Sequence, residues 1–272
     1  MNQTDEEPHR KGTPTLWECF ATAVHFLTRI TVSRSLATRE DFDHAWALNR
    51  AVVFFPLVGG LIGVTTASVM IIFMKLGINS LLAAFLALGL EAYITGAFHE
   101  DAFADTCDAL GGGWTRERVL EIIRDSCLGT YGTIALVIGV PIRALAIEAA
   151  TAGGIPWVFA SIVAAAMLAR LVIVVLMATT SPIPSRHSQA RDVSGTQPAT
   201  RVLVSMVLGL PFLIAWCVQS PWTVVVSILV CAVMAIWYRQ MILRRIGGTT
   251  GDTLGAIGFL SQLVILVGAS IT

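Results

Sequence analysis

Seven apolar stretches, each long enough to cross a lipid bilayer, set the terms on which this chain can fold. They run over residues 51–75, 78–98, 130–150, 156–179, 201–218, 221–238 and 254–271, and a spanning helix needs about 20 predominantly apolar residues. Inside a bilayer the backbone must satisfy its own hydrogen bonds, and a helix does so within one segment. The expected fold is therefore all-α: a polytopic integral membrane helical bundle of about seven transmembrane helices. A composition of 55% hydrophobic and 13% charged residues over 272 positions excludes an ordinary soluble domain.

The ends and the connections refine this picture. Residues 1–15 are polar, include Asp5, Glu6 and Glu7, and lack the charged-then-apolar order of a signal peptide. They are expected to form a disordered tail, leaving 16–272 as a single membrane-embedded domain. Leu16 to Val32 is apolar but short and carries Glu18, His25 and Arg29, so an interfacial or re-entrant helix is expected there. Loops 33–50, 99–129, 180–200 and 239–253 are long and charged, whereas those near 75–78, 151–155 and 219–221 are minimal. Of 18 Lys and Arg residues, Arg143 and Arg170 fall inside spans and Lys75 lies at a short connection; the remaining 15 lie on the other side. By the positive-inside rule that side is cytoplasmic. The formal net charge of zero gives no pull toward nucleic acid. Five cysteines without a C-x-x-C pair read as apolar fillers, not as a disulfide framework.

One polar stretch stands out against this background. Gly96 to Asp108 reads GAFHEDAFADTCD and holds four carboxylates, Glu100, Asp101, Asp105 and Asp108, at the end of the second span. Asp101, Asp105 and Asp108 stand at i, i+4 and i+7, so on a helix they form a column of mutually repelling charges. A divalent cation among them would make the column favourable, and hard oxygen ligands suit Mg²⁺, which usually keeps waters and adds substrate phosphate oxygens. A solvated acidic turn complementing a helix dipole is the other reading of the same spacing.

The remaining conspicuous polar motifs fall on the same side. Gly111-Gly112-Gly113 is followed by Arg116, Arg118 and Arg124, then by Asp125-Ser126-Cys127-Leu128-Gly129-Thr130-Tyr131-Gly132 where the chain re-enters the membrane. Backbone N–H groups near a helix N-terminus favour phosphate, which makes Arg124, Ser126, Gly129 and Thr130 candidate substrate contacts; a flexible hinge followed by an ordinary helix cap accounts for the same glycines. Arg170 and Arg143 lie inside spans, where a charge is costly unless it faces a polar cavity or a partner; Glu148 or Glu91 could pair with Arg143. Ser181 to His187 offers a stiff turn with Arg186, an anion site or a simple positive-inside anchor. Arg244 to Gly255 joins two arginines to a glycine-rich turn in which Gly247, Gly248, Thr250 and Gly251 could cradle a phosphate while Asp252 adds to a cation site.

Four motifs in this order resemble one known family. His99-x-Asp101-x-x-Ala104-Asp105-Thr106-x-Asp108, Asp125-Ser126-x-x-Gly129-Thr130-Tyr131-Gly132, Gly247-Gly248-x-Thr250-Gly251-Asp252-x-Leu254-Gly255 and the upstream Phe55-Pro56-Leu57-Val58-Gly59 are similar to cobalamin 5′-phosphate synthases, the adenosylcobinamide-GDP ribazoletransferases. Phe26-Leu27-Thr28-Arg29 and Ala169-Arg170-Leu171 also look like family positions. The chain departs from the pattern at Glu100, where the family usually has leucine or methionine, and at Ala102 and Ala109, where it has glycines.

The resemblance implies a multi-pass transferase of the bacterial cytoplasmic (inner) membrane with its site facing the cytoplasm. Its substrates would be adenosylcobinamide-GDP and α-ribazole or α-ribazole 5′-phosphate, joined with release of GMP. It implies Mg²⁺ on Asp101, Asp105 and Asp108 with Asp252 nearby, a general base at His99 or Asp125, and phosphate contacts from Arg170, Arg186 and Arg124. Other cobalamin-assembly enzymes or further copies of the chain are the expected protein partners. A CDP-alcohol phosphotransferase also sets aspartates on membrane helices, but its D-G-x-x-A-R run is absent: counted from Asp101, Asp105 stands in place of the alanine and Thr106 in place of the arginine. An ion-coupled transporter would explain the intramembrane charges, yet the acids and glycine loops collect at one membrane face and no internal repeat is evident.

Overall fold

In a computed structural model residues 14–32, 44–183 and 197–271 are described, and they form eleven α-helices. These are α1 (Leu16–Leu27), α2 (His44–Ala51), α3 (Phe55–Lys75), α4 (Ser80–Thr95), α5 (Phe98–Gly112), α6 (Arg116–Ile122), α7 (Thr130–Ala150), α8 (Ile155–Thr179), α9 (Ala199–Cys217), α10 (Pro221–Arg245) and α11 (Gly251–Ala269). Six helical stretches are long and apolar enough to cross a membrane, and a seventh crossing arises if the bent pair α4 and α5 counts as one. The all-helical, polytopic architecture expected from the sequence is what the structure has. The predicted tail falls almost wholly outside the described residues, as does Arg186.

Helix α8 is the centre of the bundle, with α3, α9 and α11 packed around it. Small residues allow the closest of these approaches. A Cβ at Gly59 would stand 2.6 Å from the Ala166 carbonyl oxygen, and one at Gly63 would stand 2.8 Å from Cα of Val163. This small-xxx-small pattern lets two backbones meet where lipid gives no hydrophobic drive for helix association. Helices α9 and α10 are peripheral and turn Leu203, Val207, Leu210, Val225, Leu229 and Val233 outward, as lipid-facing helices must.

Helix α1 has 12 residues, about 18 Å of rise at 1.5 Å per residue, which is too short for a crossing. A Thr15–Glu18 capping box starts it, and it packs along the start of α3, with Phe26 stacked on Phe55 at 5.6 Å. Past its end, the Arg29 amide donates to Ile94 O at 2.7 Å, tying α1 to the end of α4.

The second predicted span, 78–98, does not run straight into the acid cluster. Helix α4 ends at Thr95, Gly96 and Ala97 both adopt left-handed backbone (φ 73° and 55°), and α5 departs at 88° to α4. Glycine tolerates that conformation at little cost, and alanine there is uncommon. The Gly96 and Ala97 amides both return to Ala92 O, closing the helix end. Beyond the break, α5 packs between α11 and α7.

Candidate functional site

Helix α5 presents the acids. Asp101 is exposed, Asp105 half-buried and Asp108 buried, so the predicted column exists but its members have different surroundings. Asp105 lies within electrostatic reach of Asp101, Asp108 and Asp252. Asp252 is brought there by α11, whose first turn is fixed by a Thr250–Thr253 capping box. The two helices touch through Ala102 and Gly255, where an added Cβ would come 2.4 Å from the Ala102 methyl. Ala102 and Ala109 are both buried in helix packing, so these departures from the family pattern do not bear on how closely a ligand approaches.

Among the described residues no three His, Cys, Asp or Glu side chains are gathered to hold a metal ion by themselves. Mg²⁺ is commonly bound through one or two carboxylates and completed by water and phosphate oxygens. Asp101, Asp105 and Asp252 form no ion pair among the described residues, and three like charges at one helix junction repel unless a cation joins them. A cation whose coordination a bound diphosphate completed would relieve that repulsion.

Asp108 is committed differently. Its Oδ2 accepts the Gly129 amide at 2.7 Å and its Oδ1 accepts the Gly132 amide at 2.9 Å. The N-terminus of α7, expected from sequence to receive a substrate phosphate, thus already holds a carboxylate of the same chain. The Gly129 amide, expected from sequence to contact substrate, donates to Asp108 in this structure. Arg124, Asp125, Ser126 and Thr130 remain exposed or half-buried beside it. Asp125 accepts the Cys127 amide at 3.0 Å, and its carboxylate holds the exposed Cys127 thiol above the ordinary range.

The second glycine loop is likewise partly self-satisfied. Thr249 donates to Ser181 O at 3.1 Å and accepts from the Ile183 amide at 2.9 Å, an isolated parallel bridge between the ends of two connections. Gly248 serves this approach, since a Cβ there would lie 2.6 Å from Ser181 O. The Thr250 amide bonds Thr253 Oγ1 at 2.8 Å, and Gly247 donates back to α10. Gly251, half-buried in the first turn of α11, keeps an amide without a partner among the described residues.

His99 and Arg170 do not reach the acid face. His99 is 4% exposed and packs against Gly258 and Phe98, and its Nε2 has no partner among the described residues. Arg170 is 1% exposed, and its Nη1 makes long bonds to Gln262 Oε1 (3.4 Å) and Ala166 O (3.3 Å). Arg170 belongs to a polar network inside the bundle; His99 is packed without a hydrogen bond into it. At its heart, Arg143 pairs with Glu91 at 2.8 Å and Glu100 at 2.7 Å, while Glu91 also accepts from Thr66 (2.9 Å) and Gln262 (3.1 Å). Of the two partners expected for Arg143, Glu91 is the one; Glu148 instead lies 3.4 Å from Ser80 Oγ. Two cations and two carboxylates balance, which is the condition for burying charge in a membrane. Glu100, anomalous in the sequence pattern, is explained as the link from α5 to this network.

Two further arginines, with no role expected from the motifs, also shape the site. Arg245 Nη2 donates to the carbonyls of Leu110 and Gly113 at the C-terminus of α5. Arg116 Nε donates to Ile246 O at 2.8 Å at the C-terminus of α10. Each cation sits where helix carbonyls lack partners, so the acid helix and the glycine loop are clasped to one another. Their one signal in the sequence is a cationic residue close to a glycine turn.

Comparison with known proteins adds an independent line. A family model described as Cobalamin-5-phosphate synthase matches residues 19–270. The chain is 36% identical over 248 residues to an adenosylcobinamide-GDP ribazoletransferase of Bradyrhizobium diazoefficiens, covering 91% of both chains. It is 34% identical over 257 residues to that of Sinorhizobium medicae (92% of this chain, 95% of the relative). It is also 34% identical over 259 residues to that of Escherichia coli O127:H6 (91% of this chain, 97% of the relative). No solved structure matches the chain.

Proposed function

The chain belongs to the cobalamin-5-phosphate synthase family, and on that premise we propose that it is an adenosylcobinamide-GDP ribazoletransferase acting late in cobalamin assembly. A hydroxyl of α-ribazole, or of its 5′-phosphate, attacks the corrinoid-side phosphorus of adenosylcobinamide-GDP. One P–O bond forms to the ribazole, the P–O bond to GMP breaks, and GMP leaves with that electron pair. The observation that supports this site best is the packing of α5 on α11 through Ala102 and Gly255, which leaves Asp105 within electrostatic reach of Asp101 and Asp252.

Asp101, Asp105 and Asp252 would hold Mg²⁺, which when bound neutralises the diphosphate and stabilises the departing GMP. Arg124, exposed beside the acid helix, binds a phosphate oxygen, and the Gly251 amide donates to another. Asp125 lies exposed in the same loop and accepts the proton of the attacking hydroxyl. Holding donor and acceptor in line supplies most of what phosphoryl transfer requires of a protein. His99 and Arg170 act from within the bundle and do not touch substrate.

Arg116, Arg118, Arg124, Arg239, Arg244 and Arg245 lie in or beside the connections that carry the site, which by the positive-inside rule supports a cytoplasmic site, in the bacterial inner membrane on this reading. Other cobalamin-assembly enzymes, or further copies of the chain, would be its partners there, passing a bulky intermediate without dilution. The full-length protein, purified in detergent, should convert adenosylcobinamide-GDP and α-ribazole with Mg²⁺ into equal amounts of GMP and adenosylcobalamin. No GMP release, with turnover on a CDP-activated lipid instead, overturns the reading.

A further inference from the structure

We propose that Asp108 is a positioning residue that seats the start of α7 on the acid helix, and that it stands outside the cation-binding set formed by Asp101, Asp105 and Asp252. The inference rests on the proposed phosphoryl-transfer site and divides the labour within it. Asp108 is 7% exposed, and each of its carboxylate oxygens already accepts a backbone amide, Gly129 at 2.7 Å and Gly132 at 2.9 Å. Bonds from N–H groups to a carboxylate are charge-assisted, and a helix N-terminus adds its dipole to them. A cation would have to draw those oxygens away from partners that already stabilise the charge.

The two glycines carry the same message. A Cβ at Gly129 would lie 2.5 Å from Asp108 Oδ1, and one at Gly132 would lie 2.3 Å from Oδ2 and 2.8 Å from Ala104 O. The carboxylate thus fills the space that a side chain at either position would need. Glycine at 129 and 132 is required by Asp108, which takes the place a substrate phosphate would otherwise have on these amides. Asp125 and Arg124 precede this anchor by a few residues, so the Asp108 carboxylate fixes the distance between the loop that carries them and Asp105, one turn away on α5.

The test compares Asp108→Asn and Asp105→Asn in the full-length detergent-solubilised protein, using Mn²⁺ as a paramagnetic probe and following amide hydrogen exchange over residues 125–132. Asparagine keeps the size of the side chain but can accept only on one side. Asp108→Asn should leave Mn²⁺ affinity within about twofold of the unaltered protein and speed exchange at the Gly129 and Gly132 amides about tenfold or more, the scale of a lost charge-assisted hydrogen bond. It should lower kcat without moving the Mg²⁺ concentration that half-saturates turnover. Asp105→Asn should do the reverse, weakening Mn²⁺ binding with exchange unchanged. Gly132→Ala, which displaces the carboxylate without altering it, should reproduce the exchange effect and serves if Asp108→Asn fails to fold. Equal loss of Mn²⁺ affinity in the two aspartate variants, or unchanged exchange in Asp108→Asn and Gly132→Ala, overturns the inference. Should the unaltered protein bind no Mn²⁺, the cation reading of the site falls, and the exchange result alone decides the role of Asp108.

Discussion

Arg143 and Glu100 meet at 2.7 Å inside the helical bundle, although 43 positions separate them in the chain. The contact joins the first turn of the acid helix to the middle of α7, and through Glu91 and Gln262 it continues to α4 and α11. The acid helix is therefore anchored at its deep end by ion pairs and at its far end by Arg245 and Asp108.

Removing the centre of that network should be severe. Arg143→Met leaves the buried Glu91 and the half-buried Glu100 without the guanidinium they share, at a cost of about 3–5 kcal/mol. Glu100→Leu should cost clearly less, because Glu91 still balances Arg143. Thermal unfolding in detergent orders the two variants; equal midpoints would mean that the pairing does not hold the helix.

Asp105→Asn should lower GMP release by roughly 10²-fold or more, the scale on which a single transition-state stabiliser acts, while the protein still inserts and unfolds at its usual temperature. Near-normal turnover would remove Asp105 from the reaction.

Stripping divalent cations with a chelator should stop GMP release, and adding Mg²⁺ should restore it, because Asp101, Asp105 and Asp252 form no ion pair with a protein cation among the described residues. Full activity in chelator would refute the assignment of Asp101, Asp105 and Asp252 as ligands.

Arg245→Ala should destabilise the protein by about 1.5–3 kcal/mol, the range for hydrogen bonds to a charged group. It should also lower kcat/KM as the end of α5 drifts from the glycine loop. Arg245→Lys, which keeps the charge but not the fork geometry, should recover part of each; a lysine variant no better than alanine would point to simple loss of packing.

Much of the architecture is legible in the order of the residues. Each of the seven predicted spans corresponds to a described helix or, for 78–98, to the bent pair, because apolar length in a bilayer is decided residue by residue without reference to neighbours. The candidate site is legible as a collection of motifs in the charged connections between spans. Its inner logic is not: Gly129 and Gly132 look like a phosphate cradle, and the carboxylate that fills them comes from Asp108, 21 and 24 residues earlier. Helical spacing places Asp108 in the same column as Asp105 but does not say what each will meet.

The break at Gly96 and Ala97 shows the same boundary. A glycine within a long apolar run is common, and nothing local says whether the helix continues or turns by 88°. Sequence alone determined that the chain is an all-helical membrane protein with a cluster of acids and glycine turns, since hydropathy and residue chemistry are local properties. Only the tertiary structure decided that His99 and Arg170 face the interior, that Glu100 belongs to Arg143, and that Asp108 caps a helix. Those outcomes depend on which distant groups satisfy a buried charge, and burial is a property of the packed bundle.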